Sequence, residues 1–183
     1  MKIVKYAKIV IPVLLVLVIG LFLHKNLIRT AVVQITGTDV KRTDTVGRAA
    51  KNTAQNGNDA VLRTSDVRFI NAVSQKGRVK VFRNEDTGWG WPPYFKFDSA
   101  DVTAQAQAYS TAEPKPWVLV KYYGWRIKYF SMFPNVLSLQ VVAKDYTHFP
   151  LFNIIVISIL IILAFLARRK VVRFFQRKRA SKK

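Results

Sequence analysis

Two apolar runs limit this chain more than anything else in it. Ile9 to Leu23 reads IVIPVLLVLVIGLFL, and Leu151 to Ala167 reads LFNIIVISILIILAFLA; neither contains a charged side chain. Hydrocarbon accepts a polypeptide only when its backbone groups are bonded internally, so runs of this kind are expected as helices. The second run falls at the short end of the ~17–25 residues needed for a span and can be extended by Phe149 and Pro150. The first is roughly 22 Å long at ~1.5 Å per residue, and snorkelling Lys8 and His24 would let it match a bilayer. Pro12 lies in its first turn or two, where a missing N–H costs least. A cleaved signal would need a small-x-small site after the run. LFLHKNLIRTA stands there instead, so the run is expected to remain as an anchor.

Charge then predicts the threading. Of the 183 residues, 30 are Lys or Arg and 10 are Asp or Glu, a formal net charge of +20. The tail RRKVVRFFQRKRASKK holds no acid, and the N-terminus is basic too. Every acidic residue lies between the two apolar runs. Positive flanks stay in the cytoplasm, so both termini are expected inside. The expected segments are a cytoplasmic N-terminus (1–8), a first transmembrane helix (9–24), an exported β domain (25–148), a second transmembrane helix (149–167) and a basic cytoplasmic tail (168–183).

The exported part contains no cysteine, so it must be held by packing alone and has neither disulfides nor thiolate chemistry. Val32, Val33 and Ile35 open a strand pattern, followed by a long, polar, mobile loop over 44–64. DVRFINAV alternates, with Val67, Phe69, Asn71 and Val73 on one face. SQKG supplies a turn at Gly77, and RVKVFRN returns as the partner strand. DSADVTAQAQAYS is expected as a helix started by Asp98 and Ser99, with Val102, Ala106 and Tyr109 on its buried side. PWVLVKYYGWRIKYF is expected as one long strand with a bulge or bend at Gly124, and VLSLQVVA as the last strand. The order strand, strand, strand, helix, strand, strand is that of a small five-stranded OB-like barrel. The fold class is therefore α+β, mainly β, with one helix and two flanking transmembrane helices; an open α+β sandwich is the alternative.

The residues RNEDTGWGWPPYFKFDS, 83–99, are the most unusual stretch. Clustered aromatics are more often core than site, so a plug closing one barrel end is the favoured reading. Two others stay open: a recognition surface of rigid exposed aromatics, and a membrane contact, since Trp and Tyr favour the headgroup region. YYGWR, 122–126, is a second cluster in which Arg126 either faces water or approaches Glu85 or Asp86. The candidate binding surface is Glu85, Asp86, Trp89, Trp91, Tyr94, Trp125 and Arg126.

Catalysis has little to stand on. Both histidines, His24 and His148, flank the apolar runs, and no HExxH, GxSxG, Walker or Rossmann pattern occurs. Glu85, Asp86, Asp98 and Asp101 could act as paired carboxylates, yet Asp98 and Asp101 have a simpler role as helix-start acids. No catalytic residue, cofactor or metal is assigned. An exported barrel does not meet nucleic acid. Anionic lipid headgroups are the expected partner of the tail, through Arg168, Arg169, Lys170, Arg173 and Arg177, at roughly 1 kcal/mol per basic residue near the surface.

NEDTGWGWPPYFKFDS, together with DVRFINAV, YYGWR and FPNVLS, resembles a family of bacterial two-span inner-membrane proteins classed as a domain of unknown function. The resemblance covers roughly residues 30–145 and the flanking runs. It implies a bacterial inner membrane with the barrel in the periplasm, and it carries no activity, ligand or catalytic residue. The expected function is a non-catalytic binding or scaffold module of the cell envelope, presented to a partner membrane protein, an envelope polymer or the membrane. The alternatives are an envelope enzyme using acidic residues near the aromatic loop, and a lipid- or glycan-binding module.

Overall fold

A computed structural model describes residues 2–45 and 63–180. The chain divides into two units, Met1–Thr147 and His148–Lys183. The first opens with helix α1 (Lys2–Asn26) and continues as strands β1 (Arg29–Thr45), β2 (Arg63–Ser74) and β3 (Val79–Asn84), helix α2 (Ser99–Thr111), and strands β4 (Val118–Tyr123) and β5 (Asn135–Val141). The second consists of helix α3 (Leu151–Ala180). Within it, Leu151–Lys170 is the one segment among the described residues that is long and apolar enough to cross a membrane; Leu14–Asn26 of α1 is apolar but shorter.

The five strands close into a barrel in the order β1-β2-β3-β5-β4, and the expected element order is the one observed. Every pairing is antiparallel except that of β3 with β5, which joins Arg83 to Asn135 in parallel. Strand β1 serves two neighbours: Arg29 to Val33 pairs with β4, and Val33 to Thr45 pairs with β2. A register shift between Ile35 and Gly37 lies at this transfer. An extra residue there sharpens the bend and twist that let one strand border both.

Alternation builds the core. Val33 and Ile35, Ile70 and Ala72, and Val118 and Val120 are spaced by two and all point inward, where they meet Phe82 and Val136. Helix α2 adds Val102 and Ala106, with Tyr109 packed at its edge, so its buried side is the expected one. Complete burial of side chains of this size stabilises by roughly 1.5–3 kcal/mol each, and the core is this unit's substitute for disulfides.

Three local expectations need correction or limits. In β2 the core takes Ile70 and Ala72; of the expected face only Val67 is buried, while Phe69, Asn71 and Val73 are not. Phe69 instead packs on Phe133, ring centroids 4.9 Å apart, and Asn71 bonds Asp39 at 2.5 Å. Gly124 does not bend a continuing strand. It ends β4 at φ +93 and is followed by an irregular hairpin with a 3-10 turn at Lys128–Phe130. Finally, the polar loop expected over 44–64 lies outside the described residues at 46–62, while β1 reaches Thr45 and β2 begins at Arg63.

The β2–β3 hairpin forms as expected, with Ser74 N–H donating to Arg78 O, Gly77 N–H donating to Ser74 O, and Gly77 at φ +70. Phe82 is 1% exposed and its ring lies 5.1 Å from that of Tyr122. Phe82→Ala is expected to cost about 3–5 kcal/mol in urea unfolding of the detergent-solubilised chain, whereas Lys76→Ala in the exposed turn should change stability by less than about 0.5 kcal/mol.

Candidate functional site

The aromatic loop is built from its base upward. At its start, Glu85 pairs with the side chain of Asn135 as though with another strand: Asn135 Oδ1 accepts from Glu85 N–H and Asn135 Nδ2 donates to Glu85 O, both at 2.9 Å. Asp86 reaches across to the first residue of α2. Its two carboxylate oxygens accept from Ser99 N–H at 2.9 Å and from Ser99 Oγ at 2.7 Å. Asp98, the expected cap, occupies the N-cap position but makes no capping bond with its side chain. The helix is thus capped from a distant loop, and Asp86 is a structural acid.

Lys96 closes the base. It is 5% exposed, and its ammonium donates to Asn84 Oδ1 and, at 2.8 Å, to Val136 O. Asn84 is 1% exposed and passes the contact on to Ser99 O and Thr103 Oγ1, at 2.8 and 2.9 Å. A backbone bond from Gly88 N–H to Lys96 O and a bond from Lys96 N–H to the Thr87 side-chain Oγ1 complete the stitching. Gly88 at φ +52 allows the tight return; Phe95 adopts φ +49, a conformation costly for a bulky residue.

With Lys96 turned in, its neighbours turn out. Phe95 and Phe97 are exposed and pack edge-on against Trp89, at 5.4 and 5.7 Å between ring centroids. Trp89 is 83% exposed and Trp91 67%. The expectation of a plug therefore fails: these rings stand outside the barrel, because its interior is already filled by aliphatic strand residues and α2.

Several of these aromatics meet the last turn of α1. Trp91 stacks on Phe22 at 5.6 Å, and its indole N–H donates to Asn26 Oδ1 at 3.1 Å. The Tyr94 hydroxyl donates to Asn26 O, and the Tyr94 ring lies 5.0 Å from Tyr123. Trp125 Nε1 bonds His24 Nδ1 at 3.0 Å, and Gly124 N–H donates to Lys25 O at 2.9 Å. A C-terminal helix turn has carbonyls with no partner inside the helix; here the barrel supplies donors to three of them, on His24, Lys25 and Asn26. Burial first, then the neighbouring Tyr123, pushes the Tyr94 phenol up to about 12, so it remains a donor at physiological pH.

The predicted surface residues are therefore divided. Glu85, Asp86, Trp91 and Trp125 line one cavity of about 310 Å³ beside Lys25, Arg83 and Tyr123. Tyr94 lines a neighbouring groove with Phe95, Lys96 and Phe97. Trp89 forms the loop tip. Arg126 turns to a third groove, its guanidinium 4.0 Å over the Phe133 ring. Glu85 is ion-paired at 2.5 Å with Arg83, not with Arg126. No cluster of potential metal ligands occurs among the described residues. Arg168, Arg169, Lys170, Arg173 and Arg177 all lie on α3.

Sequence reasoning missed Lys96, Asn84, Asn135 and Asn26. FKF offered no local signal, because the segment is irregular and Phe95 leaves the extended region at φ +49. Burial lowers the Lys96 pKa from 10.5 to about 8, against smaller opposing contributions from Asp98 and Asp86. An unfolded chain still binds this proton between those values while the folded one has released it, so folding gains stability as pH rises through that window. Above about 10 the raised tyrosines act in the opposite sense. Stability is expected to rise by about 2–3 kcal/mol from pH 8 to pH 10, and Lys96→Met should flatten that slope in urea titrations at the two pH values.

The chain shares 40% identity over 116 residues with a Haemophilus influenzae (strain ATCC 51907 / DSM 11121 / KW20 / Rd) protein named only as uncharacterized. The aligned region is 63% of this chain and 63% of the relative's length. No solved structure matches. Residues 4–175 match the family described as "Protein of unknown function (DUF1523)", and the chain, matched over nearly its whole length, belongs to that family.

Proposed function

We propose that this chain is a bacterial inner-membrane protein with two spanning helices, both termini cytoplasmic, and a periplasmic OB-like barrel that works as a non-catalytic interaction module seated on the membrane surface. The observation that carries the reading is the clamp on α1: Trp91, Tyr94, Gly124 and Trp125 all bond the final turn of an apolar helix. A barrel on a loose tether would need none of these contacts. Trp91 lies against Phe22, one turn before the helix ends at Asn26. That is the depth at which a spanning helix leaves hydrocarbon, and indole and phenol rings favour it.

On this seating the exposed rings of Trp89, Phe95 and Phe97 rest among lipid headgroups. Of the readings open at the sequence level, membrane contact has the most support. A glycan platform would suit exposed rings too, but would not call for a clamp to an apolar helix. The enzyme reading is weakened by Asp86, both of whose oxygens are bonded to Ser99, and by the pairing of Glu85 with Arg83. The apolar segment Leu151–Lys170 supports the second span. The cations from Arg168 onward keep the tail at the cytoplasmic leaflet, where anionic lipids attract them. The barrel would then present its remaining faces to a partner membrane protein or an envelope polymer at a fixed height.

Two measurements test the reading. The chain has no native cysteine, so a single cysteine can report each location. Lys76→Cys should react with a membrane-impermeant maleimide in cells with a permeabilised outer membrane, and Arg173→Cys only after the inner membrane is broken. The reverse pattern would sink the topology. In vesicles, the fraction of fluorescence quenched by brominated lipid should fall in Trp89→Phe and should not fall in Trp117→Phe, whose site lies about 24 Å from Gly124 along the β4 direction at ~3.4 Å per residue.

A further inference from the structure

One groove of the barrel carries cations with no counter-charge. Its volume is about 440 Å³, and Arg29, Lys80, Arg126 and Lys128 line it together with Tyr122 and Pro134; no acidic residue contributes. Two salt bridges occur among the described residues, Arg42–Asp66 and Arg83–Glu85, and neither involves these four. Burial, with a smaller contribution from Arg78, holds the Lys80 ammonium below its ordinary value. The groove therefore collects like charge that nothing in it neutralises, an arrangement that disfavours each charge unless an anion enters.

Two of the cations are held in place. Arg29 donates through Nη2 to His24 O at 2.7 Å. Arg126 holds its guanidinium carbon 4.0 Å from the Phe133 ring centroid and donates through Nη1 to Met132 O at 3.0 Å. A guanidinium has five N–H donors, so each arginine retains further donors after its anchoring bond. Lys128 begins the hairpin tip, beside Tyr129, 98% exposed, and Phe130, 75% exposed.

We propose that this groove binds a phosphate-bearing anion, with Lys80, Arg126, Lys128 and Arg29 engaging its oxygens and Tyr122 and Pro134 forming the wall against its carbon portion. Phosphate suits the site better than carboxylate because its several oxygens can accept from donors arriving from different strands and loops. The phosphate belongs either to an anionic lipid headgroup or to a soluble phosphate ester. The lipid source rests on the seating proposed above: Arg29 follows the end of α1 by three residues, which sets the groove at headgroup depth. The anion site itself does not depend on topology.

The experiment is calorimetric titration of the full chain in maltoside detergent with three separate probes: short-chain phosphatidylglycerol, glycerol 3-phosphate and inorganic phosphate. At least one probe should bind. Lys80→Gln combined with Lys128→Gln should weaken binding at least tenfold, and Lys128→Glu alone, at an exposed position, at least threefold. The control variant Lys115→Gln, at an exposed lysine that lines none of the three grooves, should bind within twofold of the parent. Phosphatidylglycerol favoured at least tenfold over glycerol 3-phosphate identifies the lipid source; comparable affinities identify a soluble ester. Absence of binding by all three probes, parent-like binding by Lys128→Glu, or loss of binding in Lys115→Gln overturns the proposal. The maleimide pattern is independent of these titrations, so failure of the topology and failure of the groove are distinguishable.

Discussion

The bonded ammonium of Lys96 is the interaction on which the aromatic loop depends. Removing an ion from water costs several kcal/mol, and only good partners offset it. Here the partners belong to two different strands, Asn84 at the end of β3 and Val136 in β5. Asn84 then reaches into the first turn of α2. One charge therefore ties loop, sheet and helix together where β3 and β5 share only a short parallel contact. In this loop Lys96 is buried while Phe95, at φ +49, and Phe97 are exposed, inverting the usual distribution of charge and ring. An exposed aromatic edge is the direct outcome of that inversion.

The clamp on α1 follows from the same construction. A loop stitched at its base by Asp86, Thr87 and Lys96 can hold Trp91 and Tyr94 at fixed positions, and both bond Asn26. Hydrogen bonds of this kind contribute about 0.5–1.5 kcal/mol each, so the set, with the Phe22–Trp91 stack, is sufficient to hold the first helix and barrel as one body. It fixes the direction in which the barrel faces relative to the last turn of α1.

Membership of the family and the Haemophilus influenzae relative place this architecture in a group whose function is open. What distinguishes the molecule physically is a division of labour among its charges. Asp86 and Lys96 are structural, each with its polar atoms engaged by the fold. Glu85 is neutralised by Arg83. The cations around Lys80 and Arg126 have no such partner among the described residues, and the contrast between satisfied and unsatisfied charge is what separates scaffold from surface.

Much of this was legible in the chain itself. Charge-free runs marked the apolar helices, SQKG marked the hairpin, and the spacing of Val102, Ala106 and Tyr109 marked the buried side of α2, because each signal is local. The element order followed from those local signals, and with it the barrel. Other features were decided only by the fold. Apolar residues occur at both parities of DVRFINAV, so alternation could not choose Ile70 and Ala72 over Phe69 and Val73; closure of the barrel did. Asp86 as the cap of α2, Asn135 as a substitute strand partner and Lys96 as a core ion all need residues far away in sequence. The same holds for the exposed rings: composition specified a rigid aromatic loop, and only the packing of strands and helix around a full interior decided that the loop had to stand outside it.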